Sequence, residues 1–255
     1  MKQKFNKKIH EKFINYFWIK KYPTKIETNF YSKTIKYIKY IKWIPWLKMI
    51  WIWNSISMNC ASNKSDIDLF IVTSNNSMWI NRIIITFLFK ILNVRKTAKK
   101  HAWRFCLSFF ATQKWLDFSK WKIDNDIYLY FWIIYFKPIL NYDNTYELFI
   151  KKNSNWANFS EYENIIKENK KYIKYRNIII KSTKDIKKWS VFFNYKEKFL
   201  NKVLKLINYL FKMIFLQKTL KHYNSIWKPY WVIINNNLLK FHNWDIRENI
   251  KKELI

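Results

Sequence analysis

The sequence predicts an α+β protein: a small mixed sheet flanked by helices, followed by a mostly helical C-terminal region. Three observations lead there. Short apolar segments of strand length cluster within residues 47–111. Segments with apolar residues at helical spacing lie on both sides of them. The chain has 255 residues, half of them hydrophobic, which is enough to bury a sizeable core. We expect N-terminal helices over residues 1–44, an α/β core over 45–140 and helices over most of 141–255.

Each element has a local reason. Phe5, Ile9, Phe13 and Phe17 share one face of a basic helix over residues 4–20, which Pro23 ends. The run "IKYIKYIKWI" makes Lys33–Ile44 a second amphipathic helix. Pro45-Trp46 is a turn, Leu47–Ile52 a short apolar strand and Ser65–Thr73 a second strand. The polar "SNNS" at 74–77 supplies N-cap residues for a helix over Met78–Leu92. A basic loop, Arg95–His101, leads into a third strand, Phe105–Ala111. Ile127–Leu140 reads as an apolar helix closing near Pro138. Trp156–Lys171, Lys198–His222 and Asp245–Leu254 read as helices, with a last strand at Tyr230–Ile234.

Composition excludes several classes. Two cysteines, Cys60 and Cys106, make neither a disulfide framework nor a zinc cluster, so the expected compartment is reducing cytoplasm. The apolar runs fall short of the roughly 20 residues a bilayer span needs, so no membrane partner is expected. The basic N-terminus carries no long apolar segment and no small-residue cleavage site, hence no signal peptide. His222 and His242 are isolated, and the basic loop with His101 and Arg104 reads as solvated. The net charge is +31, carried by 48 basic residues of which only five are Arg. That charge suits a nucleic-acid partner, because lysines neutralise phosphates. It also suits general drift toward Lys, Asn, Ile, Phe and Tyr, and the lysines are spread rather than massed in one block.

The chain contains no glycine and 15 tryptophans. Average usage would give about 18 glycines in a chain of this length. Several Trp stand where backbone chemistry asks for Gly: Trp46 after Pro45, Trp115 and Trp121 in a polar loop, Trp227 before Lys-Pro, Trp244 after Asn243. The pattern is that of a gene whose UGA codons mean glycine, translated with UGA as tryptophan. Trp79 and Trp132, on apolar helix faces, read as true core tryptophans.

The chemistry lies in "SDIDLFIV". On a strand, Ile67, Leu69 and Ile71 face one way, and Asp66, Asp68, Phe70 and Val72 the other. Two carboxylates about 7 Å apart along one face suit joint binding of magnesium through hard oxygen donors. Upstream, the turn "WNSISM" places Trp53, Asn54 and Ser55 after an apolar strand. Backbone N–H groups of such a turn can cradle phosphates when the chain approaches closely.

The joint pattern, Trp53-Asn54-Ser55, a ten-residue spacer over 56–65, then Asp66-Ile67-Asp68-Leu69, resembles the DNA polymerase beta-like nucleotidyltransferase superfamily. It is similar there to small stand-alone bacterial members. The motif covers about 25 residues, with a softer likeness from about 45 to 140 and again at "LLKFHNWDIR". The resemblance implies a polymerase-beta-like core that moves a nucleoside monophosphate from a nucleoside triphosphate to a hydroxyl acceptor. It implies that Trp53, Asn54 and Ser55 hold the nucleotide phosphates, and that Asp66 and Asp68 are catalytic and bind two Mg2+ ions. The chain departs from the family at Trp53, where glycine is usual and an indole would fill the phosphate seat. It departs also at the third carboxylate, since "RFCLSFFA" offers only Cys106 and Ser108 and the loop acids Asp117, Asp124 and Asp126 lie off the strand. The alternative expectation is a catalytically weak protein on the same scaffold that binds nucleic acid through its basic surface.

Overall fold

The computed structural model describes residues 7–159, 197–224, 231–242 and 245–255. In chain order the elements are helices α1 (Lys7–Tyr16) and α2 (Lys25–Ile38), strands β1 (Leu47–Ile52) and β2 (Ile67–Thr73), helix α3 (Met78–Ile91) and strand β3 (Phe105–Thr112). Helix α4 (Ile127–Ile134), strand β4 (Lys137–Asn141), helix α5 (Thr145–Asn153) and helix α6 (Glu197–Asn224) follow. Strands β5 (Trp231–Ile234) and β6 (Leu238–His242) and helix α7 (Arg247–Leu254) complete the set.

The six strands form one mixed sheet in the order β4-β1-β2-β3-β6-β5. Only the β2–β3 pair is parallel, as its helical crossover through α3 requires. The other neighbours are antiparallel. The last two strands therefore join the core sheet through β3, and the region after 141 is less purely helical than its sequence suggests.

Every residue of β2 is buried, because helices cover both faces of the sheet. On one face Trp51, Phe70, Phe109 and Phe118 pack with α4, with Phe13 of α1, Phe149 of α5 and Ile250 and Leu254 of α7. On the other, Ile50, Ile67, Leu69, Ile71 and Phe110 pack with Phe30, Tyr31 and Ile38 of α2 and Trp79, Ile85 and Phe89 of α3. The alternation along β2 is thus the one the sequence requires, with aspartates, Phe70 and Val72 on the first face.

Several boundaries differ from the sequence reading; helix α1 ends at Tyr16 rather than at 20, and β2 begins at Ile67 rather than Ser65. Helix α2 begins at Lys25 because Thr24 and Glu27 form a capping box: the Thr24 hydroxyl accepts from Ile26 N and the Glu27 carboxylate accepts from Thr24 N at 2.7 Å. The apolar helix after 127 stops at Ile134, and Lys137–Asn141 is a strand instead. Pro138 cannot continue a helix and sits on the edge strand of the sheet, where its missing N–H costs least. Residues 156–159 are not helical, and the rest of the helix expected over 156–171 lies outside the described residues, as do Trp227 and Trp244.

The backbone also speaks to the missing glycines. Ten described residues have φ > 0, and they are six Asn, one Asp and three Trp: Trp18 (51°), Trp46 (66°) and Trp103 (61°). Asn and Asp tolerate the left-handed region; a bulky aromatic there is an outlier, and glycine takes it at no steric cost. Trp53, Trp115 and Trp121 are not among the ten. Trp79 and Trp132 are fully buried.

Candidate functional site

The site forms where β1 and β3 flank the start of β2. Antiparallel pairing of β1 with β2 continues past Ile52, since the Trp53 N–H donates to the Asp68 carbonyl at 3.3 Å. This brings the turn over 54–59 directly above the Asp68 side chain. Parallel pairing places Cys106 opposite Asp68 and Phe105 opposite Ile67. The ligand atoms of Asp66, Asp68 and Cys106 all lie within 4.8 Å of one another. This trio is the only cluster of three or more metal-capable side chains among the described residues, and it contains no third carboxylate.

Asn54 opens the turn in the left-handed region, with φ 57°, and Asn59 closes it there at 55°. The Asn54 amide Nδ2 donates to Asp68 Oδ2 at 2.7 Å, while its Oδ1 accepts from the Trp132 indole at 2.7 Å. Trp132, a core residue of α4, thereby fixes which way Asn54 points. Ser55 is half-buried, and its carbonyl accepts from Cys60 N at 2.9 Å. The amide N–H groups of Ser55, Ile56 and Ser57 donate to no protein acceptor among the described residues. Ile56 and Ser57 are fully buried, so of the three only the half-buried Ser55 stands open to a ligand. Buried Glu27 braces the far end of the turn by accepting from Ala61 N at 3.0 Å.

Trp53 belongs to the core beside the turn. Its side chain continues the inward alternation of Trp51 and is 2% exposed. The ring packs against Trp132 at 4.2 Å and Phe109 at 5.2 Å between centroids. Strand parity sends the indole into the core on the same sheet face as Phe70.

The electrostatics are those of crowded carboxylates. Burial pushes Asp68 up to about 6, the neighbouring Asp66 charge adds to this, and the hydrogen bond from Asn54 offsets part of it. Lys96 answers the charge with an ion pair to Asp66 at 2.6 Å. Burial pulls the Lys96 ammonium down, but the hydrogen bond to Asp66 and the surrounding negative groups outweigh it and hold it above its ordinary value. The Cys106 thiol is pushed up by burial and by Asp68, and it donates to Ser108 Oγ at 3.2 Å. Magnesium suits the two carboxylates; a thiol is a poor third ligand for so hard a cation.

Sequence reasoning missed Lys96, which lay in a loop read as solvated. A parallel bridge between Arg95 and Phe105 and the bond from Lys96 N to the Phe105 carbonyl (2.8 Å) bring it to the carboxylates. Arg104 goes elsewhere, to Asn93. Two of the three loop acids have structural roles, and Asp124 is exposed. Asp117 caps a short turn by accepting from Ser119 N, and Asp126 caps α4 and pairs with Arg247 at 3.2 Å. Arg247 also binds Asp245, and burial together with the Arg247 charge pulls nearby Lys240 down to about 6. This buried charge cluster ties the "LLKFHNWDIR" segment to the same sheet face as the carboxylates.

No helix among the described residues is long and apolar enough to cross a membrane. No family model, no curated protein and no solved structure matches the chain.

Proposed function

We propose that the chain is a metal-dependent nucleotidyltransferase, transferring a nucleoside monophosphate from a nucleoside triphosphate to a hydroxyl acceptor. One observation carries this reading: Asp66 and Asp68 converge on one sheet face beneath a turn whose half-buried Ser55 has an amide without a protein acceptor among the described residues. The Ser55 amide and hydroxyl would receive phosphate oxygens, and Lys96 would neutralise charge at the rim. Asn54 would position Asp68. Asp66 and Asp68 would hold Mg2+, which when bound supplies electrophilic stabilisation of the transferring phosphoryl group. With Cys106 where a third acid would stand, general-base help to the acceptor hydroxyl would be weak, and such help is typically worth roughly 10²–10⁴-fold. The reading includes glycine at UGA-encoded positions, supported by the left-handed Trp18, Trp46 and Trp103.

The test is calorimetric titration of nucleoside triphosphate with and without Mg2+, on the chain and on an Asp66→Ala, Asp68→Ala variant. Magnesium-dependent binding lost in the variant is expected; binding indifferent to both aspartates sinks the proposal. The second reading, a nucleic-acid-binding protein with little or no transfer activity, is favoured by the thiol at position 106. It predicts steeply salt-dependent RNA or DNA binding that survives loss of Asp66.

A further inference from the structure

At the opposite end of the sheet lies a second feature with its own chemistry. Asn76 follows β2 and Lys114 follows β3; with α6 and the β5–β6 turn they enclose a cavity of about 520 Å³. It opens beyond the C-terminal end of β2, whereas Asp66 and Asp68 stand at the strand's beginning. Five strand residues separate Asp68 from that end, roughly 17 Å. Lys114, Lys202, Lys205 and Lys212 line the cavity, and no acidic residue does among the described residues. None of the four lysines is in an ion pair among the described residues.

The lysines are held on a fixed frame. Asn208, on the same helix, turns inward and accepts from Trp79 N at 2.9 Å and Ile80 N at 3.3 Å, which seats α6 on the start of α3. Lys212 donates to Asn236 of the β5–β6 turn. Lys202 and Lys212 are ten positions apart on the helix, so the ammonium groups are spread over roughly 15 Å. That is more than one phosphate group can engage. Tyr209 lies one helical turn from Lys205 and is 54% exposed beside the lysine row, a ring available for stacking.

We propose that this cleft is a binding site for single-stranded nucleic acid, with the lysines on successive backbone phosphates and Tyr209 against a base. The site is independent of the carboxylates: it requires neither magnesium nor nucleotide transfer. It turns a diffuse positive charge into a specific location.

The test is fluorescence anisotropy of a labelled polyuridine of about 20 nucleotides with the full chain in chelator, between about 50 and about 200 mM salt. Wild type is expected to bind with a steep salt slope. Changing Lys114, Lys202, Lys205 and Lys212 together to Gln should weaken binding by at least about 10-fold. It should also flatten the slope by roughly 0.7 per lysine. Changing Lys202, Lys205 and Lys212 to Arg should preserve binding, which separates lost charge from lost folding. A control with Lys7, Lys8, Lys25 and Lys39 changed to Gln should change affinity much less. Equal weakening in that control would show bulk charge and overturn the proposal, as would absence of wild-type binding. Competition by inorganic phosphate as effective as unlabelled polyuridine would reduce the cleft to a single-anion site and also overturn it. The Asp66→Ala, Asp68→Ala variant should bind undiminished; loss there would place the nucleic acid at the carboxylates instead.

Discussion

Changing Asp68 to Asn should stabilise the metal-free protein at neutral and alkaline pH and abolish its stabilisation by magnesium. Asp68 is 8% exposed, beside Asp66, and its carboxyl is pushed up from 3.8 to about 6. The folded protein thus holds this proton more tightly than the unfolded chain does. The associated stability is fully present below pH 3.8 and is lost as pH rises through about 6. A rise of about two units, at about 1.4 kcal/mol each, puts the loss at up to about 3 kcal/mol. Asparagine keeps the side-chain volume and can still accept from Asn54 Nδ2, so packing is conserved. Urea melts in chelator read the effect directly. The variant should exceed wild type by up to about 3 kcal/mol at about pH 8 and match it at about pH 4. Magnesium at about 100 times its Kd should then add about 2.7 kcal/mol to wild type and nothing to the variant. A variant less stable than wild type at about pH 8 without metal would refute the account of a crowded carboxylate. An equal magnesium gain in both proteins would refute Asp68 as a ligand.

Cys106→Asp supplies an acid opposite Asp68; Mg2+ affinity measured by calorimetry should rise, and any nucleotide transfer should increase by roughly 10²–10⁴-fold. Unchanged affinity would remove position 106 from the ligand set. Lys96→Met removes the ammonium paired with Asp66, so Mg2+ should bind several-fold more tightly while the metal-free protein melts earlier; weaker Mg2+ binding would show that Lys96 supports the metal rather than replaces it. Trp18→Gly should stabilise the chain by about 1–2 kcal/mol in urea melts, because Trp18 is 83% exposed at φ 51° and has little packing to lose. A loss of stability there would mean the left-handed backbone carries no strain.

How far the sequence reaches depends on what each element relies on. Strand β1 was legible to the residue, and α3 and α6 to within a residue or two, because unbroken apolar runs and helical spacing define them. The aspartate face of β2 followed from parity alone. Strand β6 was not legible: its fully buried Lys240 interrupts the apolar pattern, and the Asp245 charge offsets only part of the cost that burial and Arg247 impose on its ammonium. Strand β4 hid inside an apolar run that periodicity cannot divide, with Pro138 the one local clue. At the site, Asp66 and Asp68 stand out by their spacing, and Asn54 and Ser55 through the family resemblance. Lys96 was not legible, because a loop lysine is drawn to Asp66 only by the tertiary bridge between Arg95 and Phe105. Cys106 was visible as the residue on the right strand, and only the pairing register places it opposite Asp68.

The tryptophans separate into groups that bear differently on recoding. Trp18, Trp46 and Trp103 sit on backbone that glycine favours, and they share that conformation only with Asn and Asp. Trp132 has an indole donor spent on Asn54, so glycine there would release the residue that orients Asp68. Trp53 falls between. Its φ is not positive, so its backbone does not call for glycine. Its side chain fills core space against Trp132 and Phe109. Glycine at 53 would open an indole-sized space beneath Asn54, where removal of so large a buried ring costs about 3–5 kcal/mol. Codons for Trp18, Trp46 and Trp103 are accordingly the ones expected to read UGA, and codon 132 to read UGG. UGG at all three left-handed positions would defeat recoding, and the carboxylate site would stand unchanged, because its geometry rests on β2, Asn54 and Cys106.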